Sequence, residues 1–469
     1  MKLLRALAFL FTALLSFVVP PAGAQSIHLP PHEKVVLKNG LTVLLLEKHG
    51  VPIVSFYGIL KTGAAADPQG KEGLAAITAG LLRKGTKTRT AQQFAADLDF
   101  IGGSFNADAN ADFTSVSAEC LTKDLATGLD LFSDALLHPT FPKDEADKLL
   151  AQSLDAVKGA KDDPQQVLGA YYYGYLYGGR GYGRPDDGDE ISLPKIQRDA
   201  IAKFYDTYYA PSNMILAVAG DFQPTEMKRK LEDVLGGWTA KQTPPAKVAA
   251  MAPAKGKRLL LVDKPDATQT YFAFGNIATA AGDPDRVAIR VVNTVFGERF
   301  TSMLNEALRV ESGLTYGAQA AFDPRKAPGP FGVYSFTKNE TTTQAIDLAL
   351  QVLDKLHKDG ITAEQLKSAK SYIKGQFPPQ IETSGELASR IASNEFFGLD
   401  DSEVNQLEAR IDAVTLETAK QVIQKHYPSE NLVFALIGNA SAIGPAVKKY
   451  AEKQDARKIA EPGFWPAGK

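Results

Sequence analysis

The chain has 469 residues, enough for two to four ordinary domains, and its 44% apolar and 23% charged residues exclude a disordered or fibrous chain. Lys and Arg number 52 against 54 Asp and Glu, so a net charge of −2 offers no basic surplus for gripping nucleic acid. The single cysteine, Cys120, excludes an internal disulfide or a thiolate metal cage.

Lys2 and Arg5 precede an apolar run over residues 6–19, and Ala22-Gly23-Ala24 supplies a small-x-small cleavage pattern before Gln25. Residues 1–24 therefore read as a secretory signal peptide, whose apolar core is short for a membrane span. No later stretch approaches ~18 apolar residues, so no membrane contact is expected after cleavage, and a cysteine-poor exported chain of this kind suits the periplasm.

Asn39-Gly40 between two β-branched runs predicts a hairpin over 35–45, followed by a strand over 54–60. Small and apolar residues over 73–82 predict a buried helix. Thr90 and Gln93 predict a capping box for a helix ending at Gly102-Gly103. Residues 113–120 alternate as a strand that ends on Cys120, read as a buried apolar filler, and helices are expected over 125–137 and 143–158. The tyrosine-rich run from Tyr171 to Tyr182 reads as a packed helix end and loop. Asp186, Asp187, Asp189 and Glu190 read as a solvated acidic loop.

The chain is built twice. Tyr209-Ala210-Pro211-Ser212-Asn213 leads a helix-like segment into the apolar run ending at Gly220, and Tyr427-Pro428-Ser429-Glu430-Asn431 does the same before Gly438. Gly438 follows Gly220, and Asn431 follows Asn213, by the same 218 residues. The expected organisation is a signal peptide over 1–24, an N-terminal half over 25–240, a Pro/Ala/Lys-rich linker over 241–257 and a C-terminal half over 258–469. Strands followed by helices without strict alternation argue an α+β fold.

Motifs for chemistry are sparse. Ser371-Tyr372-Ile373-Lys374, Ser192-Leu193-Pro194-Lys195 and Lys61-Thr62-Gly63 fit S-x-x-K and K-T-G, but their order is reversed and Pro194 disrupts one, so they read as chance. The run from Gly73 to Thr86 resembles the zinc-ligand helix of the M16 peptidases, the family of pitrilysin, insulin-degrading and mitochondrial processing peptidases. In that family an inverted H-x-x-E-H motif lies between a glycine and Lys-Gly-Thr, here Lys84-Gly85-Thr86. One helix face there carries two histidines for zinc and a glutamate for the bound water. The corresponding residues here are Ala76, Ala79 and Gly80, and the third-ligand position, counted back from Asp162-Asp163-Pro164, is Ala156. None can bind a metal or move a proton. The resemblance extends to the Asn39-Gly40 hairpin, Lys61-Thr62-Gly63, Gly181-Tyr182-Gly183-Arg184-Pro185 and the duplicated halves. It implies a clamshell of two M16 halves, each of two similar α+β units.

One family feature survives. Leu308-Arg309-Val310-Glu311-Ser312-Gly313-Leu314-Thr315-Tyr316-Gly317 is similar to the Arg/Tyr signature of two-subunit M16 peptidases, in which one subunit carries zinc and the other presents Arg and Tyr to the peptide. Arg309 is expected at a helix end stopped by Gly313, with Tyr316 opening the next strand. The resemblance implies a chain without its own metal or cofactor, paired with a zinc-bearing homologue that has an intact H-x-x-E-H motif, and acting on peptide. The alternative it leaves is a catalytically inert M16-derived scaffold.

Overall fold

The computed structural model describes residues 28–246 and 248–465. The signal-peptide expectation for residues 1–24 lies outside them. None of the helices among the described residues is long and apolar enough to cross a membrane.

Among the described residues, twelve strands form two six-stranded sheets. The first contains β1 (Glu33–Val36), β2 (Thr42–Glu47), β3 (Ile53–Leu60), β4 (Ser104–Ala109), β5 (Thr114–Leu121) and β6 (Met214–Gly220), in the order β1-β2-β6-β3-β5-β4. The second contains β7 (Arg258–Asp263), β8 (Gln269–Ile277), β9 (Ala318–Phe322), β10 (Pro330–Lys338), β11 (Val433–Gly438) and β12 (Lys453–Lys458), in the order β12-β7-β11-β8-β10-β9. The duplication is visible in register: β6 runs parallel to β2 with Ile215 opposite Thr42, and β11 runs parallel to β7 with Val433 opposite Arg258. Ile215 and Val433 are related by the offset that relates the two glycines.

The outer strand breaks the symmetry. β1 joins antiparallel to β2 through the Asn39-Gly40 turn, whereas β12 arrives from the far end of the chain and lies parallel to β7. The hairpin forms as expected, but its connection spans residues 37–41, closed by the Leu37 N–H donating to the Leu41 carbonyl at 2.9 Å. Each half holds one sheet, so the pair of similar units expected inside each half is instead the pair of halves themselves.

Gly220 and Gly438 recur because the chain leaves each central strand close to its neighbour. A Cβ on Gly220, at φ +140°, would meet the Ile53 carbonyl at 2.1 Å, and one on Gly438 would meet Thr270 Oγ1 at 2.9 Å. Both repeat tyrosines, Tyr209 and Tyr427, are buried.

The central strands are buried on both faces, which is why β2, β6 and β11 read as continuous apolar runs. Val43 and Leu45 face the helices of their own half, while Leu44 and Leu46 join a core with residues of the other half. Four helices explain both this arrangement and the site: α1 (Leu74–Gly80), α2 (Lys143–Ala160), α3 (Pro164–Tyr177) and α4 (Ser384–Phe397). The first half sends α3 onto the second sheet, and the second half sends α4 onto the first. Tyr172 donates to the Phe331 carbonyl at 2.9 Å and Tyr175 to Asp455 at 2.8 Å, while Leu387 and Ile391 of α4 share a core with Leu44, Ile59 and Ala217. The tyrosine run is thus packed, as its composition predicts, against a sheet its own half does not contain.

The capping box forms as predicted. Gln93 N–H donates to Thr90 Oγ1 at 3.2 Å, and Thr90 N–H donates to Gln93 Oε1 at 2.9 Å, ahead of the helix Ala91–Phe100. Thr90→Ala is expected to lower stability by about 1 kcal/mol, read as a shift of the urea midpoint with unchanged slope.

Cys120 is buried, with Sγ where a Cβ on Gly128 would come within 2.5 Å, and burial pushes its thiol up to about 11. It is a packing residue and not a nucleophile.

Candidate functional site

A cavity of about 1580 Å³ opens between the halves. Its floor begins with α1, whose start is held from below. Gly73 supplies φ +93°, and the N–H groups of Gly73 and Ala75 donate to the Asp67 carboxylate at 2.8 and 2.9 Å. Arg184 ties this turn to the Gly181–Pro185 segment, pairing with Glu72 at 2.9 Å and donating to the Asp67 carbonyl at 2.9 Å. Burial pushes the Asp67 carboxyl up to about 7, although those two amides and Arg184 favour its charge.

Leu74, Ala75, Ile77, Thr78 and Ala79 form the buried side of α1, leaving Ala76 and Gly80 half-buried, one turn apart. Ala76, Gly80 and Ala156 of α2 all line the cavity, so the structure brings together three of the four positions that the resemblance matched to the zinc motif. Ala79 is buried instead. A Cβ on Gly80 would lie 3.1 Å from Leu149 Cδ2, so Leu149 stands where a larger side chain would begin.

These residues do not fit a zinc ion, which needs three or four N, O or S donors at ~2.0–2.3 Å, where the cavity offers two methyl groups and a glycine. Metal analysis of the isolated, dialysed chain is expected to find no stoichiometric zinc; one tightly held zinc per chain would overturn this. Installing Ala76→His and Gly80→His together is expected to leave peptide hydrolysis at background, because Ala79 supplies no base and Ala156 no third ligand. Among the described residues, Asp283, Asp285 and His426 do converge within 4.8 Å, but Lys425 Nζ already sits 2.7 Å from Asp285. That group is an ion-pair knot between helix ends.

The opposite cavity wall belongs to the second half, and no motif in the sequence marks it. Gln319, Ala321, Arg325 and Tyr334 line it, as do Phe464 and Trp465 near the end of the chain. Arg325 lies over the rings of Tyr182 and Tyr173, at 4.8 and 5.6 Å from their centroids, and pairs with Asp323 at 2.8 Å. Burial pushes the Asp186 carboxyl up to about 6, against the pull of Arg325 at 3.8 Å. The acidic cluster is therefore not a solvated loop. Asp189 is buried and accepts from the amides of Ile191 and Ser192, and Glu190 pairs with the buried Lys161 at 2.5 Å; only Asp187 is exposed.

Arg309 and Tyr316 lie elsewhere; neither lines the cavity. Arg309 sits in a π-helical turn, Glu306–Glu311, where the Ser312 N–H reaches back five residues to the Ala307 carbonyl at 3.2 Å. Such turns are rare and recur at functional sites. Gly313, at φ +63°, ends the turn as expected, but the next strand starts at Ala318, so Tyr316 stands in the loop before it and is 78% exposed. Among the described residues, neither the Arg309 guanidinium nor the Tyr316 hydroxyl has a hydrogen bond or ion pair; Arg309 lies over the Phe300 ring, 4.7 Å from its centroid.

The family model described as insulinase (peptidase family M16) matches residues 42–185, and that described as peptidase M16 inactive domain matches residues 195–373, together more than half of the chain. The chain is 24% identical over 405 residues to an uncharacterized zinc protease of Bacillus subtilis, covering 86% of this chain and 98% of that one. It is 26% identical over 423 residues to an uncharacterized zinc protease of Mycobacterium leprae, covering 89% and 92%. Its fold matches a peptidase M16 inactive domain from Pseudomonas fluorescens with a TM-score of 0.82 at 24% identity, over 87% of this chain and 98% of that one. A protease from Helicobacter pylori superposes with a TM-score of 0.81 at 20% identity, over 88% and 100%. With both family models matched in sequence and two duplicated α+β halves in the fold, this chain belongs to peptidase family M16.

Proposed function

We propose that this chain is the non-zinc-binding subunit of a periplasmic, heterodimeric M16 peptidase. It presents Arg309 and Tyr316 to a peptide held against a zinc-bearing homologue. The carrying observation is that both side chains are exposed and outside the lining of their own cavity, with every donor free among the described residues. Guanidinium supplies five fixed donors and tyrosine one hydroxyl, suited to an oxygen that gains negative charge as a peptide bond is attacked. The zinc expected in the partner would activate the attacking water. Alone, this chain hydrolyses nothing on this reading.

Mixing it with a homologue carrying an intact H-x-x-E-H motif is expected to give a heterodimer by light scattering and a gain in peptide hydrolysis over either protein alone. Monomers with no gain would favour the inert scaffold.

A further inference from the structure

We propose that Phe300 is a positioning residue: its ring is the platform that holds the Arg309 guanidinium in place while leaving all of its N–H donors free. This rests on the function proposed above for Arg309.

Phe300 is 58% exposed, so more than half of its surface gains nothing from burial, and it belongs to none of the apolar cores. The Arg309 carbon between the guanidinium nitrogens lies 4.7 Å from the ring centroid, within the range of a cation–π contact. The contact leaves the guanidinium without a hydrogen bond or ion pair among the described residues. The neighbouring Arg299 shows the contrast: it lies over Tyr372 at 6.0 Å and also donates to Ser368 at 2.8 Å.

The backbone beneath both residues is tied down. Phe300 follows a π-helical turn, Thr294–Glu298, in which a Cβ on Gly297 would meet Ala320 at 2.5 Å. Asn305, just before the turn bearing Arg309, accepts the Ala318 amide of β9 at 3.0 Å. A long side chain on a fixed turn still loses freedom when it engages substrate, and a ring that already restrains it reduces that loss.

The test uses the complex of this chain with its zinc-bearing partner and four variants: Phe300→Leu, Phe300→Tyr, Arg309→Ala and the pair Phe300→Leu with Arg309→Ala. Phe300→Leu is expected to reduce kcat/KM about two- to fivefold with the melting temperature unchanged, dividing between kcat and KM as Arg309→Ala does. Phe300→Tyr keeps a ring and should stay near wild type. In the Arg309→Ala background Phe300→Leu should cost nothing more. In the isolated subunit, the NMR order parameter of the Arg309 Nε–Hε bond should fall in Phe300→Leu and hold in Phe300→Tyr. Additive losses, or a loss in Arg309→Ala with none in Phe300→Leu, overturn the platform and leave the function of Arg309 standing. Wild-type rates in Arg309→Ala overturn that function and the platform with it.

Discussion

Arg309→Ala, measured in the assembled complex, is expected to reduce peptide hydrolysis at least tenfold, with folding, pairing and the partner's zinc content unchanged. Removing one preorganised donor from a developing oxyanion typically costs ~10²–10³ in rate. If the residue stabilises that charge the loss falls on kcat, whereas a residue that only orients the bound peptide raises KM. Tyr316→Phe removes a hydroxyl that has no hydrogen bond among the described residues, so stability should be untouched while the rate falls. Arg309→Lys should rescue poorly, because a compact ammonium does not reproduce the planar fork. Wild-type rates in both single variants would overturn this role for the pair.

Glu190→Ala is expected to be the most destabilising of the substitutions considered, by about 3–5 kcal/mol, because it strands a buried ammonium. Lys161 and Glu190 are 8% and 12% exposed and 2.5 Å apart; Lys161 also donates to the Glu461 carbonyl at 2.8 Å, and Glu190 accepts the Gly463 amide at 2.8 Å. The pair pins the end of the second half to the first, beside Phe464 and Trp465 in the cavity wall. Replacing both members by well-packed apolar residues should cost far less, since neither charge is then left alone. Burial by itself would push the Glu190 carboxyl up, but Lys161 and the Gly463 amide outweigh it and hold it below the ordinary 4.5. A depressed carboxyl stabilises the fold in full above the ordinary value and loses that contribution as pH falls through its lower folded value. The wild-type urea midpoint should therefore drop on acidification below about pH 4.5, with a shallower drop in Glu190→Gln. Parallel acid profiles for the two proteins would count against the pair as an acid-sensitive clasp.

Features set by neighbours in sequence are legible from the residues alone. Turn chemistry at Asn39-Gly40 and the Thr90/Gln93 box leave local signatures. Ala76, Ala79, Gly80 and Ala156 read as positions without donors, because the absence of chemistry is a property of the side chain alone. Pairing across long separations leaves no such trace. The tyrosines of α3 announce burial, but a side chain does not encode which sheet buries it, and the exchange of α3 for α4 between halves emerges only in the assembled chain. Asp186 and Glu190 look solvated because their partners, Arg325 for the first and Lys161 with the Gly463 amide for the second, lie in other segments of the chain.

The sequence by itself determined the duplication and the α+β character, each carried by residue type and spacing. The tertiary structure decided that β12 fills the place held by β1 in the other sheet, that the second half and the chain's last described residues wall the cavity, and that Arg309 lies over Phe300 and outside the cavity lining. The physical reason is the same throughout. Propensity and periodicity are local, whereas an edge strand's partner, a buried charge's counterion and a cation's aromatic platform depend on which distant segments the cores bring within a few ångströms.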